Sequence, residues 1–301
     1  MPHTPVLLNE VLTYLDPKPG EFIIDGTVNG GGHSAEIFPK ILPGGKLLGI
    51  DLDGSRLENA RIKVSAKVKN EKLKMKNNLF LTKGNYTDMP NILREMNLPK
   101  ADGLLLDLGF SSEQLEESGR GFSFMKDEPL LMTYDDTETP VKQILKELTE
   151  RDLAKIIFAY SGEKMAIRIA KAIKAQEKKN KIETSGDLAK AVQSAVPWNY
   201  ERGRINPATR TFQALRIYAN HELENLGTVI AKLPKILKPG GKAVIISFHS
   251  LEDKIIKHAF RDMEKNGKLE IVTKKPIEAS EQEILHNPRS RSAKLRSARI
   301  V

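Results

Sequence analysis

Short apolar runs recur along the chain and predict buried β-strands at 22–25, 46–51, 79–82, 103–107 and 243–248. The segments between the first of these runs, including 34–38 and 55–68, are helix-like. Strands that alternate with helices indicate an α/β fold, in which helices cover both faces of a parallel sheet. Ligands of such sheets bind beyond the carboxyl ends of the strands, where we expect Asp25, Asp51 and Asp107 to lie.

The alternation stops after Asp107. Residues 111–204 contain no convincing strand, and two patterns of the capping-box type predict helices: Thr149-x-x-Asp152 before 153–160, and Thr184-x-x-Asp187 before a helix that Pro197 ends. A further helix is predicted over 163–178. We therefore predict a first α/β part at 1–110, an inserted all-helical domain at 111–204 and a second α/β part at 205–301.

The second α/β part begins with apolar residues at helical spacing, which predict one helix over 211–226. A Lys-Pro-Gly-Gly turn at 238–241 precedes the strand at 243–248, and a helix at 254–265 and an edge strand at 269–273 follow it. The last segment, 287–299, is rich in arginine and contains no acid. We interpret it as a basic C-terminal tail.

The composition changes this picture little. Hydrophobic residues make up 40% of the 301 residues and charged residues 29%, which is ordinary for a globular domain. No apolar run approaches the roughly 18 residues that cross a bilayer, and the start has no secretory signal pattern. We therefore expect a cytoplasmic protein without membrane contact.

A glycine-rich loop, Gly30, Gly31 and Gly32, connects the first strand to a helix. Glycine accepts positive φ angles and lets a ligand approach the backbone, and the helix N-terminus presents free N–H groups. The spacing is not the G-x-G-x-x-G that holds a dinucleotide pyrophosphate. It favours S-adenosylmethionine (SAM), so a methyltransferase is the leading hypothesis, and a purely structural turn is the alternative.

Three further residues have candidate roles beside the cofactor. Asp51 would accept hydrogen bonds from both ribose hydroxyls, each contributing about 1.5–3 kcal/mol, or would be an exposed strand-end carboxylate that caps a helix. His33 would contact the cofactor carboxylate or make a local hydrogen bond. Tyr86 would flank the adenine or belong to the core.

Asp107 ends the fourth strand, close to the expected position of the transferred methyl group. In many amino-methyltransferases an acceptor at this place takes a hydrogen bond from the exocyclic amine, and an aromatic residue, here Phe110, stacks on the flipped base. Alignment of the two reactants then supplies much of the rate. Asp107 either acts in this way or only binds the cofactor.

The charge and the missing cysteines restrict the substrate. A net charge of +9 suits a polyanion, whose counterions are released on binding. Without cysteine there is no nucleophile for methylation at C5 of a pyrimidine, so an amine or hydroxyl acceptor is expected, and we predict no structural metal. The lysines of the insertion form a nucleic-acid face or a solvated surface: Lys171, Lys174, Lys178, Lys179 and Lys181. A His–Ser–Asp set at 247–253 lacks the G-x-S-x-G elbow of a hydrolase.

Several motifs follow one another along the whole chain: His3-Thr-Pro-Val-Leu-Leu8, Gly31-Gly-His33, Asp107-Leu-Gly109, Arg120-Gly-Phe-Ser-Phe124, Pro207-Ala-Thr-Arg-Thr-Phe-Gln-Ala-Leu-Arg216, Ser247-Phe-His-Ser-Leu-Glu-Asp253 and Asn287-Pro-Arg-Ser-Arg-Ser292. Together they resemble one family, the bacterial 16S ribosomal RNA (cytosine-N4)-methyltransferases of the H type. The resemblance implies a Rossmann-like class I SAM-dependent methyltransferase whose inserted helical domain recognises the substrate.

The resemblance also implies the reaction, which is methyl transfer from SAM to N4 of a cytidine near the decoding centre of 16S rRNA. The implied partner is the 16S rRNA or the small ribosomal subunit. Carried over position by position, the implied cofactor contacts are Gly31, Gly32, His33, Asp51, Tyr86, Asp107 and Gln114, with Tyr86 in place of a common phenylalanine. The arginine-rich tail and residues 209–216 would lie near the RNA or the active-site cleft.

The chain departs from the family pattern at a few positions. Asn29 replaces a glycine, which should change little because asparagine tolerates left-handed φ. Leu131 and Thr133 replace an acid and a base of the family pattern. These changes leave the cofactor site intact, and we expect them to affect substrate choice or the level of activity. These two changes are the reason for a second hypothesis, a non-catalytic RNA-binding or assembly factor that keeps the fold. A third hypothesis is a nicotinamide-dependent oxidoreductase, which the loop spacing disfavours.

Overall fold

The computed structural model describes residues 5–68, 77–108 and 118–301. The chain divides into two compact units, one of Met1–Gly109 with Leu223–Val301 and one of Phe110–Glu222. The second unit is therefore an insertion in the sequence of the first.

A single eight-stranded sheet forms the first unit. Its strands are β1 (Phe22–Asp25), β2 (Lys46–Asp51), β3 (Leu79–Lys83), β4 (Ala101–Asp107), β5 (Leu237–Ser247), β6 (Leu269–Ile271), β7 (Ile277–Glu278) and β8 (Lys294–Ile300). The order is β3-β2-β1-β4-β5-β8-β6, with β7 paired to β8. Strands β1 to β5 are parallel to one another, whereas β8 is antiparallel to β5, β6 and β7. The predicted α/β class and the Rossmann-like arrangement are confirmed.

The helices, in chain order, are α1 (Leu8–Leu15), α2 (Gly32–Ile41), α3 (Gly54–Lys67), α4 (Met89–Glu95), α5 (Val141–Glu147), α6 (Glu150–Ser161), α7 (Ala166–Glu177), α8 (Ser185–Ala195), α9 (Ala208–Ala219), α10 (Glu222–Ile236), α11 (Ser250–Lys265) and α12 (Glu281–His286). Two buried clusters cover opposite faces of the sheet, because successive strand residues point to opposite sides. Ile24 and Leu48 pack with residues of α4, α10 and α11. Ile23 and Leu47 pack with residues of α1, α2 and α3.

Helices α5 to α9 form the second unit around one apolar cluster, which includes Phe212 and Leu215 of α9. The described part of this unit contains no strand beyond one isolated bridge between Pro129 and Thr184. The division of the chain differs from the boundary predicted at residue 204, because α9 buries its apolar face in this cluster.

Both predicted capping patterns are present in the second unit. The side chain of Thr149 accepts a hydrogen bond from the Asp152 N–H at the start of α6, and Gly162 ends that helix in the left-handed conformation. Thr184 and Asp187 form a reciprocal capping box at the start of α8. Such caps satisfy N–H groups that the first turn of a helix leaves unpaired.

The prediction of a single helix over 211–226 is wrong. The structure contains two helices there, because α9 ends at Ala219 and α10 begins at Glu222. His221 between them has a φ of 52°, which is left-handed and interrupts the helical backbone. The apolar spacing continues across the break and therefore did not reveal it.

The interpretation of the C-terminal segment as a basic tail is also wrong. Its second half is β8, which pairs with β5 on one side and with β6 and β7 on the other. The guanidinium of Arg296 is buried and holds Asp253 through two bonds, Nε to Oδ1 at 2.6 Å and Nη2 to Oδ2 at 3.1 Å. Arg299 pairs with Glu270, and Lys294 with Glu278. Each of these three cations is paired with an acid of the same chain, Arg296 in the interior and Arg299 at the surface.

In the part of the chain that the structure describes, no helix has the length and apolarity needed to cross a membrane.

Candidate active site

Three acids lie at one edge of the sheet, at the carboxyl ends of neighbouring strands. Asp25 of β1 is in register with Gly49 of β2 and Leu105 of β4. Asp51 and Asp107 therefore lie two residues farther along the flanking strands. The strand order reverses between β1 and β4, and at such a point an open α/β sheet leaves a crevice for a ligand. The predicted position of these three acids at the carboxyl ends of the strands is confirmed.

The loop after β1 folds back onto the end of β2. Asn29 has a φ of 44° and donates its N–H to Asp51 Oδ2 at 2.8 Å. Val28 donates its N–H to the Ile50 carbonyl at 3.0 Å, and Gly31 donates its own to the Val28 carbonyl at 2.7 Å. Asparagine thus takes the left-handed conformation expected for it at position 29.

Two glycines of the loop are also required by packing. Gly31 has a φ of 77°, and a Cβ there would lie 2.7 Å from the Ala60 Cα of α3. A Cβ on Gly32 would lie 2.9 Å from Pro5 Cγ. Close approach to the α3 backbone at Gly31 and to the Pro5 ring at Gly32 accounts for both residues by itself. The cofactor contacts of Gly31 and Gly32 therefore stay a prediction.

Asp51 is 7% exposed, so it is not the exposed helix cap of the alternative interpretation. Its Oδ1 accepts the Asp53 N–H at 2.9 Å and its Oδ2 accepts the Asn29 N–H. Burial raises the pKa of Asp51, and the two N–H donors partly oppose that rise. The capping of α3 is performed by Asp53, which accepts the Ser55 N–H at 2.9 Å. Each Asp51 oxygen has a second lone pair for a further donor.

Asp25 is the site residue that sequence reasoning missed as a functional group. Its carboxylate accepts hydrogen bonds from the Ser34 hydroxyl at 2.6 Å and from the Thr27 N–H at 3.3 Å. Burial raises the pKa of Asp25 to about 6. The Thr27 hydroxyl in turn accepts the Asp107 N–H at 2.6 Å. The Asp-Gly-Thr sequence that begins with the last residue of β1 was the available signal.

His33, the first residue after the glycines, is buried at the start of α2. Its Nε2 lies 2.9 Å from the Val6 carbonyl, and a carbonyl only accepts, so Nε2 carries the proton. Nδ1 lies 3.6 Å from Asp107 Oδ2. Burial lowers the pKa of His33 and keeps the ring neutral, so this approach is not an ion pair. The ring makes a local hydrogen bond and presents Nδ1 to Asp107.

Asp107 is half-buried at the end of β4, beside His33. Its backbone is held by Thr27, which fixes where the strand ends. Gln114 and Phe110, to which the sequence assigned cofactor and base contacts, lie outside the described residues. Whether Asp107 is catalytic or only binds the cofactor stays a prediction.

Tyr86 follows β3 in a short 3₁₀ turn, Tyr86–Asp88. It is half-buried and packs on the cluster that contains Met89. A Cβ placed on Gly26 would lie 3.5 Å from the Tyr86 Cβ, so the ring begins beside the first glycine after β1. Tyr86 thus lies at the margin of the core next to the loop, and its contact with adenine stays a prediction.

The histidine motif at 247–253 builds the start of α11 and does not form a hydrolase triad. His249 Nδ1 accepts the Glu252 N–H, and Glu252 accepts the N–H groups of Phe248 and His249 in return. Asp253 is occupied by Arg296. His249 and Asp253 thus each have a structural partner other than the one a triad requires.

Contacts inside the second unit account for Thr133, one of the departures from the family pattern. Thr133 is buried, and Arg120 donates to its carbonyl from Nε at 2.7 Å and to its hydroxyl from Nη2 at 2.8 Å. Arg120 Nη1 also bonds Asp136 Oδ1 at 2.7 Å. Thr133 therefore has a structural role as the partner of the arginine in the Arg120–Phe124 motif.

Comparison with known proteins identifies the family. Residues 1–301 match the model of the MraW methylase family. Relatives named ribosomal RNA small subunit methyltransferase H occur in Syntrophus aciditrophicus (42% identical, over 99% of this chain and 98% of the relative) and Thermotoga neapolitana (45%, 99% and 96%). Another, from Persephonella marina, is 44% identical over 99% of each chain. The resemblance found in the motifs is confirmed, and the chain belongs to the MraW methylase family.

Proposed function

We propose that this chain transfers a methyl group from SAM to the exocyclic N4 of a cytidine in 16S rRNA. The observation that carries the proposal is the convergence of the glycine loop, Asp51 and Asp107 at the switch point of the sheet, in a chain of a methylase family. The relatives named for small-subunit rRNA support the substrate. Because 16S rRNA is the substrate, we propose a cytoplasmic location.

The donors and acceptors at the sheet edge fit SAM. Both Asp51 oxygens have a lone pair left for ribose hydroxyls. The negative charge of the Asp51 carboxylate would repel a 2′-phosphate. The N-terminus of α2, at Gly32 and His33, suits the amino-acid carboxylate. SAM supplies the methyl group on its sulfonium centre. Asp51, Gly31, Gly32 and His33, with Tyr86 beside the adenine and Gln114, are the proposed binding residues.

Asp107 is the proposed catalytic residue. Its carboxylate accepts a hydrogen bond from the N4 amine and turns the nitrogen lone pair toward the methyl carbon. As the N–C bond forms, the S–C bond breaks, and the nitrogen then loses a proton to Asp107 or to water. His33, whose Nδ1 lies 3.6 Å from Asp107 Oδ2, is neutral and therefore adds no positive charge of its own beside this carboxylate.

The test is methyl transfer from tritiated SAM to small-subunit RNA and to assembled small subunits, followed by mass-spectrometric identification of the nucleoside. We expect label in N4-methylcytidine, and a loss of at least about 100-fold in kcat for Asp107→Ala. Tight SAM binding without any labelled nucleoside on either substrate would refute the proposal and favour the non-catalytic RNA-binding factor. Binding of NAD in place of SAM in calorimetry would favour the oxidoreductase.

A further inference from the structure

The loop between α8 and α9 exposes the only tryptophan of the chain. In this segment, residues 197–206, which we name the Trp198 loop, the Trp198 side chain is 98% exposed. Arg202 and Arg204 in the same loop are exposed too, and their side chains have no partner among the described residues. A fully exposed tryptophan presents a large apolar ring and an N–H donor to solvent, and tryptophan is enriched at interaction sites for that reason.

The base of the Trp198 loop is anchored to the helical unit. The Tyr200 hydroxyl donates to the buried carboxylate of Glu163. Arg210 of α9 donates from Nη1 to the Tyr200 oxygen at 3.0 Å and to Glu201 at 2.7 Å. Burial and the Glu163 carboxylate raise the pKa of Tyr200 to about 12, so the hydroxyl keeps the proton that it donates. The anchor holds the backbone two residues from Trp198 while the indole stays outside.

The anchor also brings the loop to a basic surface. Glu163 immediately precedes Lys164, and the exposed positions of the following segment carry Lys164, Arg168, Lys171 and Lys178 and no acid. Lys174, one of the lysines proposed for a nucleic-acid face, is instead buried and donates to the Leu145 carbonyl. Because two residues span at most about 7 Å, the backbone of Trp198 lies within that distance of Tyr200, whose hydroxyl bonds the residue that precedes Lys164.

We propose that the Trp198 loop binds single-stranded RNA, with the indole stacked on an unpaired base and Arg202 and Arg204 on the flanking phosphates. The inference rests on the proposed RNA substrate and names a contact of the helical unit with it. Bases stack on aromatic side chains independently of sequence, and Arg and Lys neutralise the backbone. A second copy of this chain would bring a like-charged surface to the same place, which disfavours self-association.

The single tryptophan makes the contact directly measurable in the full-length protein. Intrinsic fluorescence is titrated with a single-stranded oligocytidylate of about ten nucleotides, a length that one binding groove accommodates. We expect the emission of Trp198 to be quenched as the RNA binds. An unchanged emission at concentrations where labelled RNA is bound would overturn the inference. Emission that changes with protein concentration alone would assign the loop to a second copy and overturn it as well.

Variants supply a second measurement, by anisotropy of the labelled RNA. Trp198→Ala should weaken binding at least about fivefold, whereas Trp198→Phe should retain most of it. Arg202→Gln combined with Arg204→Gln should reduce the slope of log K against log salt by about 1.4. Leu285→Ala, which removes an exposed apolar side chain elsewhere, is the control and should bind normally.

The outcome is separable from that of the proposed reaction. Wild-type binding by Trp198→Ala would refute the stacking contact even if N4-methylcytidine forms. Quenching by RNA without formation of N4-methylcytidine would refute the proposed reaction and leave the contact intact.

Discussion

Asp25→Asn should stabilise the protein at neutral pH. Asp25 is buried, and its pKa is raised from 3.8 to about 6. A group whose pKa is higher in the folded state stabilises that state fully below pH 3.8, and the contribution is lost as the pH rises through 6. A rise of about two pKa units corresponds to about 3 kcal/mol of lost stability above pH 7.

Asparagine avoids this loss because it is neutral at every pH. Its amide has the shape of the carboxyl group, and it would accept the Thr27 N–H through Oδ1 and donate to the Ser34 hydroxyl through Nδ2. The free energy of unfolding of Asp25→Asn, minus that of the wild type, should therefore increase with pH. Between pH 5 and pH 7.5 the increase should be about 1.4 kcal/mol.

The assay is urea denaturation at both pH values, together with a carbon-13 NMR titration of the Asp25 carboxyl. Asp16→Asn is the matched control, because Asp16 is exposed beside Lys242 and its pKa is lowered, so both pH values lie above its titration. Its difference from the wild type should be the same at pH 5 and pH 7.5. A flat difference for Asp25→Asn, or an Asp25 titration midpoint near 4, would refute the reasoning.

Three further changes test the site and the sheet. Asp51→Ala should weaken SAM binding at least about tenfold in calorimetry, since the ribose acceptor is lost, and an unchanged dissociation constant would contradict that role. Gly31→Ala should destabilise the protein more than Gly20→Ala, by at least about 1 kcal/mol in thermal denaturation. Both glycines have positive φ, but of the two only Gly31 also lies against the backbone of α3. Equal losses of stability would refute the packing argument. Arg296→Met should lower the free energy of unfolding by about 3 kcal/mol, because the partly buried carboxylate of Asp253 loses its partner. The salt dependence of RNA binding should stay unchanged, and a reduced slope would show that this segment contacts RNA.

The parallel strands could be predicted from sequence because each is a nearly continuous apolar run. Residues 46–51 were predicted with the observed ends, since both faces of the central strands are covered and the residues between Lys46 and Asp51 are apolar or glycine. Strand β8 was not predicted, because Lys294, Arg296 and Arg299 interrupt its apolar pattern. The acids that pair with these three residues are distant in sequence. A local pattern does not reveal such pairings.

The candidate site was predictable in its outline for a similar reason. Acids at strand ends and glycines before a helix are local signals, so the position of Asp51, Asp107 and Gly31 at this edge of the sheet could be predicted, whereas their roles stay predictions. The buried bonds of Asp25 to Ser34 and of His33 to Val6 depend on how α2 and the N-terminal segment pack. The sequence showed neither the burial that shifts their pKa values nor the neutral state of the imidazole.

Strand β8 also constrains the order in which the fold can be completed during synthesis. It is the last strand in sequence and pairs with β5, β6 and β7. Until residues 294–300 emerge from the ribosome, the edges of those three strands that face β8 have unpaired N–H and C=O groups. Open edges of this kind invite pairing with other chains. A nascent chain stalled before residue 294 would therefore expose an incomplete sheet with open edges. Chaperone binding to the nascent chain should fall sharply once residues 294–300 have left the ribosome.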